Sequence, residues 1–249
     1  RQFHHLVRIV PGNGKLIVNG EDKYLAEVLS MGAWSPVERF SLEGDTEWTA
    51  RLIENDGSRF AVIYKGTELG IVEWSLLGRH NVLNGLAAIA AANAVGADVV
   101  TALPRLAEFQ SVKRRLENLG NANGVTVYDD FAHHPTAIRT TLEGLRAKVG
   151  TARIVVAMEP RSNSMRLGSH AAEIAPSLDE ADAVVFLHRP ELSWDAGKVI
   201  SALRGHGQTA MTVDALIAEL KALAKEGDHV VFMSNGGFEG APRRFLAAL

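Results

Sequence analysis

The chain has 249 residues, 47% of them hydrophobic, with 26 lysines and arginines against 29 aspartates and glutamates and a formal net charge of −3. This size can bury one core or two modest ones, and near-neutrality without a basic stripe interleaved with aromatics argues against nucleic acid as a partner. Cysteine is absent, which excludes disulfides and thiolate metal sites and fits a reducing compartment.

The start, Arg1-Gln2-Phe3-His4-His5, has neither an initiator Met nor a signal-peptide pattern, so the expectation is a chain that begins inside a longer protein. No uninterrupted apolar stretch reaches the length of a membrane-spanning helix, and no membrane partner is expected. A helix is predicted over residues 2–10, then a turn at Pro11-Gly12-Asn13-Gly14, a short strand over 15–18 and a helix over 23–31. Strand-like runs follow at 37–42, 47–54, 59–65 and 69–76, with Asp56-Gly57 as a hairpin signal, and read as antiparallel. From Asn81 to Val95 the apolar residues Val82, Leu86, Ile89 and Ala90 fall at helical spacing, and a short helix is expected over 99–106.

A boundary is expected near 107–110, ahead of a loop that ends at Asn121-Ala122-Asn123-Gly124. Beyond it, runs at 125–128, 153–158, 183–187, 209–213 and 229–233 read as strands. Helical runs at 135–149, 171–178, 196–203, 214–225 and 242–249 separate them. Such alternation predicts right-handed crossovers and a mainly parallel, doubly wound α/β sheet.

Chemistry concentrates in a few places. Gly12-Asn13-Gly14-Lys15 lacks the glycine and hydroxyl residue that a phosphate loop needs, and it runs from helix to strand instead of strand to helix, so it reads as a turn. Val127-Tyr128-Asp129-Asp130-Phe131-Ala132-His133-His134-Pro135 leads from an apolar strand into an amphipathic helix, at the edge of an α/β sheet where ligands bind. Its acids could act as general acid and base, hold a metal, or simply turn the chain. The adjacent histidines lack the spacing of a zinc site, and His134 could cap the helix.

Asn81 could likewise cap its helix, and His80 could be an ordinary packed residue. Arg114 and Arg115 at the boundary could be solvated charges or bidentate phosphate ligands. Glu159 to Gly168 follows another strand and carries Arg161, Ser162, Asn163 and Arg166, a set suited to carboxylates, although an ordinary polar loop would look similar. Ser234-Asn235-Gly236-Gly237 could form an anion-binding nest or a plain connection.

Three motifs in order, Gly78-Arg79-His80-Asn81-Val82-Leu83-Asn84, Val112-Lys113-Arg114-Arg115-Leu116-Glu117 and the Asp129 to Pro135 run, resemble the Mur ligase family, ATP-dependent enzymes that join amino acids or peptides to a cell-wall precursor. The resemblance spans nearly all of the chain. It implies the C-terminal part of a central ATP-binding domain over 1–108 and a Rossmann-like, peptide-binding domain over 109–249, with a hinge near residue 108. The loop at Glu159 to Gly168 and Met233 to Phe238 resemble the branch that recycles the tripeptide L-alanyl-γ-D-glutamyl-meso-diaminopimelate onto UDP-N-acetylmuramate. The sister branch that adds free L-alanine, and a non-catalytic peptide- or nucleotide-binding module, are the alternatives.

By the same resemblance, Asn81 and His80 meet the adenine end of ATP, Asp130 takes the ribose hydroxyls and His134 lines the nucleotide pocket. One of Arg114 and Arg115, ranked in that order, meets the γ-phosphate. Arg161, Ser162, Asn163 and Arg166 hold the peptide. The family's phosphate loop and main magnesium-binding acid precede the matched region and do not occur among these residues, so ATP and magnesium are expected for the longer enzyme and no activity for this chain alone. The family also implies a cytoplasmic location.

Overall fold

Two units form, residues 1–110 and 111–249; the computed structural model of the chain describes residues 1–162, 165, 167–190, 192 and 194–249. The first contains α1 (Gln2–Ile9), β1 (Leu16–Asn19), α2 (Lys23–Ser30), β2 (Val37–Ser41), β3 (Trp48–Leu52), β4 (Arg59–Tyr64), β5 (Thr67–Glu73), α3 (Arg79–Ala94), α4 (Val99–Ala102) and a 3₁₀ turn at Leu103–Glu108. Its strands lie in the order β1-β2-β3-β4-β5. Only β3, β4 and β5 pair antiparallel; β1 with β2 and β2 with β3 pair parallel. The antiparallel expectation for the runs at 37–42 and 47–54 fails: β2 meets β3 in parallel, and only through Phe40–Trp48 and Ser41–Thr49, while most of β2 pairs with β1 across the α2 crossover. The two-residue turn at Lys65-Gly66 sets β4 and β5 antiparallel as expected.

Helix α3 buries Val82, Leu86, Ile89 and Ala90 against Trp48, Phe60, Val62 and Trp74. Gly85 makes this approach possible, since a Cβ there would lie 2.8 Å from the Trp74 ring. The indole N–H of Trp74 donates to the Gly57 carbonyl at 2.9 Å, and the Gly78 N–H donates to the Asp56 carbonyl at 2.7 Å. Gly57 has φ +80, and a Cβ on it would press on the Gly78 carbonyl at 3.1 Å. These contacts fix the start of α3, where His80 and Asn81 lie.

The second unit contains β6 (Glu117–Ala122), β7 (Val125–Asp130), α5 (Pro135–Val149), β8 (Ile154–Met158), α6 (Ala171–Ser177), β9 (Ala183–Leu187), α7 (Ala196–Ser201), β10 (His206–Ala210), α8 (Val213–Leu223), β11 (His229–Met233), a 3₁₀ turn at Phe238–Gly240 and α9 (Ala241–Ala248). The strand order is β10-β9-β8-β11-β7-β6. All pairs are parallel except β6 with β7. Strand β6 replaces the expected loop: Asn123 (φ 51) and Gly124 (φ 76) close a two-residue hairpin, and its sequence, Glu117-Asn118-Leu119-Gly120-Asn121-Ala122, carries little apolar patterning. Strand β10 ends at Ala210 instead of Val213 because the Thr212 hydroxyl accepts the Ala215 N–H and starts α8.

Alternate residues of the central strands feed two cores. Val156, Met158, Val184, Phe186, Val231 and Met233 pack against α5, α6 and α7 through Ile138, Leu142, Leu145, Ile174, Leu178 and Val199. Val155, Ala157, Val185, Leu187, Val230 and Phe232 pack against α8 and α9 through Leu216, Ile217, Leu220 and Phe245. Fully burying each large aliphatic or aromatic side chain stabilises by about 1.5–3 kcal/mol. Among the described residues no helix is long and apolar enough to cross a membrane.

Glu38 is a buried acid at the heart of the first unit, 7% exposed. Its carboxylate accepts from Lys15 Nζ at 2.6 Å and Trp48 Nε1 at 2.9 Å. Burial pushes its pKa up, but the Lys15 and Trp48 hydrogen bonds and the Lys15 charge outweigh that, so it lies below the ordinary value. A depressed folded pKa contributes stability above the unfolded value that is lost as pH falls through the folded one. Lys15→Met should therefore destabilise the first unit by about 1–3 kcal/mol at neutral pH in urea unfolding. The penalty should shrink below the carboxylate range; a pH-independent penalty would assign the loss to packing alone.

Candidate functional site

Strand β11 inserts between β7 and β8. The helix after β7 covers one face of the sheet and the helix after β11 covers the other. The carboxyl end of β11 thus stands at a topological switch point, where α/β sheets bind ligands.

At the end of β7, Asp130 is 4% exposed. One carboxylate oxygen accepts the Ala132 N–H at 2.7 Å and the other the Leu116 N–H at 2.6 Å. Burial pushes its pKa up and these two amide bonds oppose the rise. Each oxygen keeps one lone pair for a further donor. Asp129 points to the opposite side of the strand, where the Arg114 guanidinium pairs with it at 3.2 Å. Burial raises its pKa against the pull of Arg114.

Arg114 is pinned. Its φ is 62, its N–H donates to Glu117 at 2.9 Å, and its Nη2 donates to the Ser234 carbonyl at 2.6 Å. Arg115 is exposed and lies 5.5 Å from the centre of the Phe131 ring, in no ion pair among the described residues. Of the two, Arg115 is therefore the more open guanidinium, whereas the sequence ranks Arg114 first.

His134 caps α5, its Nδ1 accepting the Thr136 N–H at 3.3 Å; its ring meets that of His170 edge-on, with centroids 4.5 Å apart. His133 bonds the Phe131 carbonyl at 2.9 Å. In the first unit Asn81 is not a cap: Gly78 holds that position, and the Asn81 side-chain amide donates to the Leu77 carbonyl at 2.7 Å. His80 is half-buried on the first turn of α3.

At the ends of β8 and β9 a cavity of about 350 Å³ is lined by Glu159, Pro160, Arg161, Leu187, Arg189, Leu192 and Glu239. Glu159, 3% exposed, accepts the Ser234 hydroxyl at 2.6 Å and an Arg189 N–H at 3.3 Å. Arg189 also pairs with Glu239. Phe238 and Glu239 both have positive φ, 47 and 50, a conformation that costs non-glycine residues about 1–3 kcal/mol each. Burial of Phe238 against Phe232 offsets that cost, and the turn aims Glu239 at Arg189. Arg161 is exposed and lies over Gly236, where any Cβ would collide with its guanidinium.

Of the residues expected to hold the peptide, Arg161 lines this cavity and Ser162 stands beside it, its Oγ accepting the Met165 N–H at 3.3 Å. Asn163 and Arg166 lie outside the described residues. In the Ser234 to Gly237 segment, expected as a possible anion nest, two of the four amides are committed: the Ser234 N–H goes to the Asp130 carbonyl at 3.1 Å and the Gly236 N–H to Ser234 Oγ at 3.0 Å. Sequence reasoning missed Arg189 and Glu239. Arg189 was within reach, because it follows strand β9 at the same sheet edge as the Glu159 loop; nothing local marks Glu239. Among the described residues no group of three or more histidines and acids could hold a metal.

The family profile described as the Mur ligase middle domain matches residues 1–92, and the one described as the Mur ligase glutamate ligase domain matches residues 114–236. The chain is 46% identical, over 100% of its length and 54% of the relative's, to the "UDP-N-acetylmuramate--L-alanyl-gamma-D-glutamyl-meso-2,6-diaminoheptandioate ligase" of Escherichia coli (strain K12). A "UDP-N-acetylmuramate--L-alanine ligase" of Mycolicibacterium vanbaalenii is 36% identical over 96% of this chain and 53% of that one. The crystal structure of a murein peptide ligase from Psychrobacter arcticus 273-4 superposes with a TM-score of 0.72 at 41% identity, over 99% of this chain and 53% of that one. The chain thus spans about half the length of these relatives. With both profiles in order along one chain, and a fold shared with a solved member, the chain belongs to the Mur ligase family and matches its middle and C-terminal domain models.

Proposed function

We propose that this chain is the acceptor-binding half of an ATP-dependent ligase that joins L-alanyl-γ-D-glutamyl-meso-diaminopimelate to UDP-N-acetylmuramate in peptidoglycan recycling, in the cytoplasm. The observation that carries this reading is the cavity at the ends of β8 and β9, where Arg161 and Arg189 face one space. Paired guanidiniums suit a ligand with several carboxylates, as the tripeptide is. The identity to the Escherichia coli relative, higher than that to the L-alanine ligase, favours the tripeptide over free L-alanine.

In the proposed reaction the lactyl carboxylate of UDP-N-acetylmuramate takes the γ-phosphoryl group of ATP and releases ADP. The alanyl amine then attacks the acyl carbon, loses a proton, and phosphate leaves. Catalysis of this kind is mostly positioning and charge stabilisation. On the second unit, Asp130 and His134 would hold the nucleoside end; the buried Asp130 carboxylate would take a ribose hydroxyl on its remaining lone pairs. Arg115, exposed and in no ion pair among the described residues, would meet the γ-phosphate, and Arg114 would hold the loop in place. The phosphate-loop and principal magnesium contacts would come from the preceding half found in the relatives.

Two outcomes test this reading in a ligase that joins the chain to that preceding half, with phosphate release as the assay. Arg115→Ala should lower kcat by about 100-fold or more and leave the tripeptide KM nearly unchanged. A large kcat loss in Arg114→Lys with a mild one in Arg115→Ala would restore the opposite order. Arg189→Ala should raise the tripeptide KM by about 10- to 100-fold, since it removes a charged hydrogen bond and leaves Glu159 buried without a cation. An unchanged KM would place the peptide elsewhere.

A further inference from the structure

Ser234 is fully buried, and each of its polar groups is committed. Its N–H donates to the Asp130 carbonyl at 3.1 Å, and its carbonyl accepts Arg114 Nη2 at 2.6 Å. Its hydroxyl donates to Glu159 at 2.6 Å and accepts the Gly236 N–H at 3.0 Å. One residue at the end of the central strand thus joins the arginine loop on one side to the acceptor cavity on the other.

The two branches differ in how far they can give. On the cavity side Glu159 cannot lose its compensation, because a buried carboxylate without a partner is costly. Its short bond is to Ser234 and its long one, 3.3 Å, to Arg189. A ligand carboxylate arriving at Arg189 competes for that guanidinium and shifts the demand of Glu159 onto the Ser234 hydroxyl. The hydroxyl that meets Glu159 and the carbonyl that accepts Arg114 belong to one fully buried residue, so a shift of Ser234 toward Glu159 moves the acceptor of Arg114 with it. On the loop side Arg114 stands beside Arg115, and the Leu116 N–H beyond it is held by Asp130 at 2.6 Å.

We propose that Ser234 is a positioning residue that couples occupancy of the acceptor cavity to the geometry of the Arg114–Arg115 loop. This rests on the reading of the cavity as the tripeptide site. A ligase that forms an acyl phosphate benefits from such coupling, because the guanidinium that meets phosphate is then ordered when the amine is in place.

The test is site-resolved hydrogen exchange of the whole chain with and without saturating L-alanyl-γ-D-glutamyl-meso-diaminopimelate, in the unmodified chain, Ser234→Ala and Ser234→Thr. Glu159→Gln serves as a second way to weaken the link. In the unmodified chain and Ser234→Thr, the tripeptide should slow exchange at the Leu116 and Ala132 amides by about threefold or more. In Ser234→Ala and Glu159→Gln the peptide should still protect the amides of residues 187–189, while the effect at Leu116 and Ala132 disappears. Equal slowing at Leu116 in Ser234→Ala, or none in the unmodified chain while the cavity amides are protected, would overturn the coupling and leave the cavity reading intact. Absence of protection at every amide would remove the cavity reading and the coupling together.

Discussion

The bond from the Ser234 hydroxyl to the buried Glu159 carboxylate holds together the place where three parallel strands end. Strand β11 lies between β7 and β8, so its last residues are the natural meeting point of groups from both neighbours. In a parallel sheet covered on both faces, the carboxyl ends of the strands are where polar side chains can gather without breaking the apolar core. Both cores lie beneath this edge, and their packing holds the strand ends in register.

Charge balance at this edge separates guanidiniums that internal carboxylates already hold from those that they do not. Asp129 is matched by Arg114, and Glu159 by Arg189, which Glu239 shares. The carboxylates of Asp129 and Glu159 lie in or near the protein interior, where losing the cation leaves an uncompensated charge, while Glu239 meets Arg189 at the surface. Arg115 and Arg161 form no ion pair among the described residues and are exposed. Such guanidiniums are available to phosphate or carboxylate without first breaking an internal bond. The unit thus presents Arg115 as a candidate phosphate-facing cation and, at the cavity beyond β8 and β9, the exposed Arg161 beside Arg189, which a ligand carboxylate would share with Glu159 and Glu239.

Much of this was legible in the sequence. Strand–helix alternation beyond residue 124 and the helix at Pro135 follow from periodicity and punctuation, and the structure has them. What stayed hidden depends on partners distant in sequence. The low-apolar strand β6 is recognisable only through its hairpin with β7. The parallel setting of β2 depends on which strand it meets, not on its own pattern. Arg114 outranked Arg115 in the sequence reading, yet Asp129 and Ser234 occupy it. Glu239 owes its place in the cavity to a positive-φ turn that its residue type does not favour.

Titration calorimetry of the chain with L-alanyl-γ-D-glutamyl-meso-diaminopimelate, with free L-alanine in parallel, tests the central claim most directly. Saturable heat with the tripeptide, little with L-alanine, and its loss in Arg189→Ala are the results this account predicts. Equal binding of L-alanine, or tripeptide binding unchanged in Arg189→Ala, would contradict it.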